Sequence, residues 1–207
     1  EGMCWETAYE QWLNAPALSQ QEQEELRAIQ KDKMELRERF CAPLAFGTAG
    51  LRGTMKVGLH HMNVHVVRWV TQGFAEVICA ESDWAGDRKA AVCMDGRKNS
   101  RRFAEAAAEV LAANGITVYL FDGPRPTPEL SFAVRAYGCL AGINITASHN
   151  PKEYNGYKAY WCDGAQLQTE TAMAVSARLE EIDVFAGPKR MDLQRGIELG
   201  RICLLGR

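Results

Sequence analysis

Apolar residues recur at helical spacing from the start of the chain. Trp5, Ala8, Tyr9, Trp12 and Leu13 form one stripe, which Asn14-Ala15-Pro16 ends. Ser19 and Glu22 fit a capping box for a second helix, whose surface stays charged through Arg39. The texture then changes at Pro43-Leu44-Ala45-Phe46-Gly47-Thr48-Ala49-Gly50-Leu51-Arg52-Gly53, where three glycines mark backbone that turns sharply or approaches something closely. From Asn63 onward the pattern is regular. Val66, Val70, Phe74 and Val77 make a helix stripe, and Ala90–Met94 reads as a short buried strand. A helix follows from about Ser100 to Asn114, capped by Gly115, and Ile116–Phe121 is the next strand. Thr127-Pro128-Glu129 opens another helix, ended by Gly138. Cys139–Thr146 and Tyr157–Trp161 are strands, and Thr169–Ile182 is a further helix.

Short buried strands alternating with helices predict a layered α/β/α domain around a mixed, mostly parallel sheet of about four strands. The last two strands, about ten residues apart, lack room for a helical crossover and pair antiparallel. The expected organisation is an N-terminal helical segment, residues 1–40, packed on an α/β/α domain, residues 41–207. Residues 197–207 stop in an apolar, strand-like stretch, as expected of a piece of a longer chain.

At 207 residues and 47% hydrophobic, the chain has material for one good core. No apolar run is long enough to span a bilayer and no signal peptide is visible, which points to a soluble, cytoplasmic protein without a membrane partner. A net charge of -2 argues against a nucleic-acid surface. The basic run Arg97, Lys98, Arg101 and Arg102 reads better as the solvated start of a helix. The seven cysteines include no C-x-x-C pair, so they lack zinc spacing and read as free thiols.

Chemistry concentrates after the strand at Ile143–Thr146. There Thr146-Ala147-Ser148-His149-Asn150-Pro151 forms a rigid polar knot at a strand's carboxyl end, where open α/β sheets bind ligands. The plainest account is a hydrogen-bonded turn. A serine hydrolase does not fit: no G-x-S-x-G elbow is present, and His149 is adjacent to Ser148. No Walker loop or G-x-G-x-x-G occurs either. A serine without a triad can instead carry a phosphoryl group, chemistry that asks for positioning and positive charge more than for a strong base. Lys152, Lys158 and His149 are near it in sequence, and Arg52 lies in the glycine-rich stretch.

The knot Thr146–Pro151 resembles the active-site signature of the α-D-phosphohexomutases, the phosphoglucomutase/phosphomannomutase superfamily. Phe46-Gly47-Thr48-Ala49-Gly50-Leu51-Arg52-Gly53 resembles the family's first loop. Asp95-Gly96-Arg97 with Asn99-Ser100, Pro126-Thr127-Pro128 and Tyr154-Asn155-Gly156-Tyr157-Lys158 fit in order and spacing. The likeness runs from about residue 40 to residue 182 and covers the first of the family's four domains.

The resemblance implies a phosphorylated Ser148 that passes its phosphoryl to a sugar phosphate, with a sugar 1,6-bisphosphate as intermediate. It implies Mg²⁺ on a phosphoserine oxygen, Arg52 stabilising charge, Lys158 handling the proton of the attacking hydroxyl, and His149 and Asn150 orienting the site. Arg97 is expected to brace the loop and so orient the phosphate. The form of the first loop and of Glu153–Lys158 is most similar to the branch that interconverts glucose 1-phosphate and glucose 6-phosphate; relatives of that branch handle pentose phosphates. The family's run of closely spaced aspartates for the metal has no counterpart, since the closest pair, Asp83 and Asp87, stands four apart. The implied partners are sugar phosphates and the remaining domains of the same polypeptide, without which the fragment is expected to be inactive. A non-catalytic phosphosugar-binding module is the competing reading.

Overall fold

The charged stretch after Ser19 is two helices rather than one. In the computed structural model, which describes residues 4–206, α1 (Trp5–Leu13) is followed by α2 (Gln20–Ala28) and α3 (Lys33–Phe40). The first three residues of the expected helical segment and the last residue of the expected α/β/α domain thus lie outside the described residues. Ser19 and Glu22 do form the capping box. The break comes from Asp32, whose Oδ1 accepts from the backbone N–H groups of Met34 (3.1 Å) and Glu35 (3.0 Å) and starts a new helix. The charge pattern is continuous across that cap and conceals it.

Beyond α3 the order is β1 (Leu51–Thr54), α4 (Val64–Ala80), β2 (Lys89–Met94), α5 (Ser100–Ala113), β3 (Thr117–Phe121), α6 (Thr127–Ala136), β4 (Ala141–Ile145) and β5 (Tyr154–Trp161). Then come α7 (Thr169–Glu181), α8 (Leu193–Glu198) and β6 (Ile202–Leu205). The strands form one sheet in the order β1-β5-β4-β2-β3-β6. Pairs β4–β2, β2–β3 and β3–β6 are parallel, whereas β5 is antiparallel to both β4 and β1. The sheet is mixed and mostly parallel, as the spacing predicts, but it has six strands rather than about four. The two extra strands are the edges. β1 carries a glycine and no apolar alternation, so only its pairing with β5 makes it a strand. β6 is the strand-like stretch near the end of the chain, and it finds β3 as a parallel neighbour.

Both faces of the sheet are covered. In β2, Ala90, Val92 and Met94 join the large cluster that α4, α5 and α7 fill with Val70, Phe74, Phe103, Leu111 and Val175. The alternate residues Ala91 and Cys93 join a smaller cluster under α6 with Leu130, Val134 and Tyr160. Burial on both faces is why the parallel strands read as continuous apolar runs. Trp12, Leu26 and Phe40 of the N-terminal helices enter the larger cluster. No helix among the described residues is long and apolar enough to cross a membrane.

Ion pairs fasten the N-terminal helices to the body. Buried Arg39 reaches Glu25 (2.5 Å) and Glu35 (2.9 Å), and it donates to the Val57 carbonyl (2.9 Å). Lys56 also binds Glu35, at 2.8 Å, and Glu22 meets His65 of α4 at 3.1 Å. Burial alone would raise the Glu22 carboxyl. The hydrogen bonds from His65 and from Ser19 outweigh it and hold Glu22 down at about 2.

A carboxyl depressed in the folded state stabilises it fully above its ordinary value of 4.5, and that contribution is lost as pH falls toward about 2. Glu22→Gln keeps a cap but removes the charge. The melting temperature of Glu22→Gln is therefore expected to lie below that of the wild type above about pH 5, with the gap shrinking below about pH 4.5 and closing only as pH approaches about 2. Thermal melts of both proteins across that range check it, and a gap constant with pH would contradict the assignment.

Candidate active site

The parallel strands β4, β2 and β3 end on one edge of the sheet, and the polar loops follow them there. After β4, Thr146 turns its Oγ1 back to accept from the Ser148 backbone N–H at 3.0 Å. The Asn150 N–H then donates to the Ala147 carbonyl at 3.1 Å. Between these bonds Ser148 sits at φ 55 in the left-handed region, exposed to solvent. For a residue with a Cβ this conformation costs about 1–2 kcal/mol, so the surroundings must enforce it.

Arg97, three residues past the end of β2, does the enforcing. Its Nη2 donates to the carbonyls of Ser148 (2.7 Å) and Asn150 (2.7 Å), and its Nη1 to those of Pro151 (2.8 Å) and Tyr154 (3.3 Å). Its Nε pairs with Asp95 Oδ2 at 3.2 Å. A guanidinium has five N–H donors, and all five are committed. Arg97 therefore has no donor left for a substrate phosphate, and whatever orientation it gives runs through the loop it holds.

The other Asp95 oxygen fixes the turn itself. Oδ1 accepts from the Arg97 backbone N–H (3.0 Å) and from the Ser100 hydroxyl (2.7 Å). Ser100 Oγ in turn accepts from Asn155 Nδ2 (3.0 Å), and Asn155 is fully buried at the start of β5. Asp95, Ser100 and Asn155 are all present in the sequence motifs, yet no spacing rule marks them as one network. Only the fold brings residues 95, 100 and 155 together.

Arg52 arrives on β1, whose register sets Arg52 opposite Gly156. The approach is tight. A Cβ on Gly156 would lie 2.5 Å from the Thr146 carbonyl oxygen, and one on Gly50 (φ 76) would lie 1.9 Å from that of Tyr157. Exposed Arg52 donates to Asn150 Oδ1 at 2.9 Å, which joins the glycine-rich stretch to the serine loop. His149 is exposed beside the serine, with Nδ1 3.4 Å from Ser148 Oγ. That separation is long for an O–H···N bond, and no carboxylate among the described residues orients the ring.

Lys158 stands farther back than the sequence suggests. β5 begins at Tyr154, not Tyr157, so Lys158 is its fifth residue instead of its second. It pairs in register with Asn144, two positions before Thr146, which places it about 7 Å along the strand from the loop's start. Alternation nevertheless holds: Tyr157 and Ala159 enter the large cluster, while Tyr160 enters the smaller one. Half-buried Lys158 has no ion pair among the described residues.

The buried thiols of the sheet do not compete as nucleophiles. Burial pushes Cys93 and Cys139 up to about 11 and about 12, so neither is a thiolate near neutrality. Among the described residues no three His, Cys, Asp or Glu side chains converge to hold a metal. In the basic run after β2, Arg97 is committed to the serine loop and Arg101 binds Glu105 and the Asp122 carbonyl, while Lys98 and Arg102 are exposed.

The left-handed geometry at Ser148 makes a measurable claim. Ser148→Gly relieves the Cβ cost, whereas Ser148→Ala keeps it. The glycine variant is expected to be more stable than the alanine variant by about 1 kcal/mol, or about 2–4 °C in melting temperature. Equal or reversed melting temperatures would mean that the loop relaxes out of this conformation.

Comparison with known proteins agrees with this geometry. Residues 43–185 match the family model described as phosphoglucomutase/phosphomannomutase, alpha/beta/alpha domain I. A phosphoglucomutase of Staphylococcus aureus (strain USA300) is 44% identical over 153 residues, which are 74% of this chain and 27% of that protein. Among solved structures, a Thermus thermophilus protein assigned as a phosphomannomutase superposes with a TM-score of 0.61 at 33% identity, covering 74% of this chain and 34% of that one. A phosphoglucomutase/phosphomannomutase family protein from Burkholderia thailandensis does so at 0.56 and 26% identity, covering 72% and 31%. The chain spans about a quarter of the length of the curated relatives it matches. It belongs to the phosphoglucomutase/phosphomannomutase family and corresponds to that family's first α/β/α domain.

Proposed function

We propose that this chain is the nucleophile-bearing domain of a mutase that interconverts hexose 1-phosphate and hexose 6-phosphate. Ser148 Oγ carries a phosphoryl group. The free hydroxyl of a hexose monophosphate attacks that phosphorus, the bond to Ser148 Oγ breaks, and a bond to the sugar oxygen forms, giving a hexose 1,6-bisphosphate. The bisphosphate turns over, and Ser148 Oγ attacks its other phosphate and releases the isomeric monophosphate. Lys158 takes the proton of the attacking hydroxyl and returns it to the leaving oxygen. Arg52, with N–H groups to spare beyond its bond to Asn150, steadies the charge on the transferring oxygens.

One observation carries this reading. An exposed serine is locked at φ 55 at the end of a parallel strand by a fully engaged arginine, with no oriented base beside it among the described residues. That arrangement presents an oxygen in a fixed place among cations, which phosphoryl transfer needs, and omits the triad that acyl transfer needs. The names of the curated relatives favour glucose phosphates, those of the structural neighbours include a phosphomannomutase, and a pentose phosphate would meet the same serine loop.

Mg²⁺ is proposed to bind an oxygen of the phosphoserine and neutralise charge there. The described residues of this chain do not form its site, because no ligand cluster exists among them. The remaining ligands are assigned to further domains of the same polypeptide, and the 207 residues alone are inactive on this reading.

Two measurements on the complete polypeptide test the proposal. In protein isolated from cells, peptide mass spectrometry is expected to find phosphate on Ser148 in a fraction of molecules. Sugar-phosphate binding with Ser148 never phosphorylated would favour the non-catalytic module. Lys158→Ala is expected to lower kcat by about 10²-fold or more, as for a general acid–base group. Lys158→Arg should restore little of it, because a guanidinium stays protonated. A normal kcat with only a raised KM would reduce Lys158 to a binding contact.

A further inference from the structure

A cleft of about 1010 Å³ opens on the side of the serine loop formed by residues after β1 and β2. Thr54, Met55 and Lys56 make one wall, the turn Asp95–Asn99 another, and Asn150, Lys152 and Glu153 the third. Ser148, Arg52 and Lys158 are not among its lining residues, so the proposed chemistry leaves it unused. Its size is that of a site for a small organic molecule.

Its charge is lopsided in a particular way. Three of the charged groups in its walls are already paired: Asp95 and Arg97 bind each other, and Lys56 is held by Glu35 of α3. Lys98 and Lys152 are exposed and have no carboxylate partner among the described residues, and Glu153 is the one carboxylate in the wall without a described partner. Lys98 and Lys152 lie on different walls, one on the turn after β2 and one on the serine loop. Two lysines without a described carboxylate partner, on separate elements, line one cleft, and an anion bound in it can pair with both. Met55 supplies an apolar surface beside them.

We propose that this cleft is a second binding site, distinct from the serine's hydroxyl, for a small phosphate-bearing molecule whose phosphate sits between Lys98 and Lys152. The site is coupled to the serine loop, because Lys152 and Asn150 belong to that loop and Arg97, which also lines the cleft, holds the loop's carbonyls. Inorganic phosphate and a hexose 6-phosphate share the recognised group, and they differ in whether the uncharged body contributes.

The test uses the 207-residue chain with its methionine methyls labelled with carbon-13, titrated separately with inorganic phosphate and with glucose 6-phosphate. The expected result is a saturable shift of the Met55 methyl that weakens at least tenfold in Lys98→Gln/Lys152→Gln. Tighter binding of glucose 6-phosphate would mean that the body of the ligand is read, and equal binding that the phosphate alone is. Gly96→Leu provides a variant that keeps every charge. A Cβ there meets nothing within 4 Å and φ is not in the left-handed region, so the side chain fills the cleft without unfolding the turn. It too is expected to abolish the shift. Ser148→Ala should leave the shift unchanged. No saturable Met55 shift, a shift indifferent to the lysine and Gly96 variants, or a shift lost with Ser148→Ala would each overturn the proposal.

Discussion

The site depends on one contact, the Arg97 guanidinium set among carbonyls of the serine loop and the Asp95 carboxylate. Hydrogen bonds to a charged group are worth roughly 1.5–3 kcal/mol each where an unmade bond would leave the partner dry. Four carbonyls on one cation comfortably exceed the 1–2 kcal/mol, roughly, that a left-handed serine costs. The clamp wins, and Ser148 stays where its own backbone preference would not leave it. A lysine could not replace this arginine, since an ammonium has three donors and no plane to spread them over. Asp95 matters for the same reason from the opposite side. It aligns the guanidinium through Nε and fixes the turn through its second oxygen, so cation and loop are positioned by one carboxylate.

The mixed sheet explains why those parts meet. Parallel β4 and β2 deliver the serine loop and the Arg97 turn to the same edge. Had β5 continued in parallel, the chain after Pro151 would have left that edge through a helix. It returns antiparallel instead, so Asn155 lies beside Ser100 and Lys158 lies across from Asn144. β1 then adds to β5 from a remote part of the sequence and sets Arg52 against Asn150. Glycines at 50 and 156 are the condition for that approach, because a side chain at either would collide with backbone oxygen.

How much of this is legible in the sequence follows from how local each signal is. Helix stripes, caps at Ser19 and Gly115, and the buried strands are readable because periodicity and capping act within a few residues. The antiparallel β4–β5 pair is readable from loop length alone. The edge strand β1 escapes the count, because its strandness is conferred by a partner far away in sequence; β6 is strand-like in sequence, but its place beside β3 is not. The helix break at Asp32 is hidden by uniform charge on both sides of a single capping residue. At the site, the knot at Thr146–Pro151 announces itself through residue type. The roles within it do not: that Arg97 spends every donor on its neighbours, and that Lys158 is the fifth residue of its strand, are properties of the folded register.

The distribution of charge around Ser148 shows what this domain contributes. Around Ser148 the sequence supplies cations from separate elements, Arg52 from β1, Lys158 from β5 and Arg97 from the turn after β2, while Asp95 is consumed by one of them. Such a setting favours an anion on Ser148 Oγ and disfavours a bare divalent cation, which would face the same positive field. On the proposed mechanism, a phosphoryl group on Ser148 would supply the negative charge that a cation there needs. On the same mechanism the ligands completing such a site would come from outside this loop, since no cluster of metal-ligating side chains exists among the described residues. Further acids placed beside Ser148 would serve the metal poorly, because they would compete with the phosphate for Arg52 and for the arginine that keeps the loop in place.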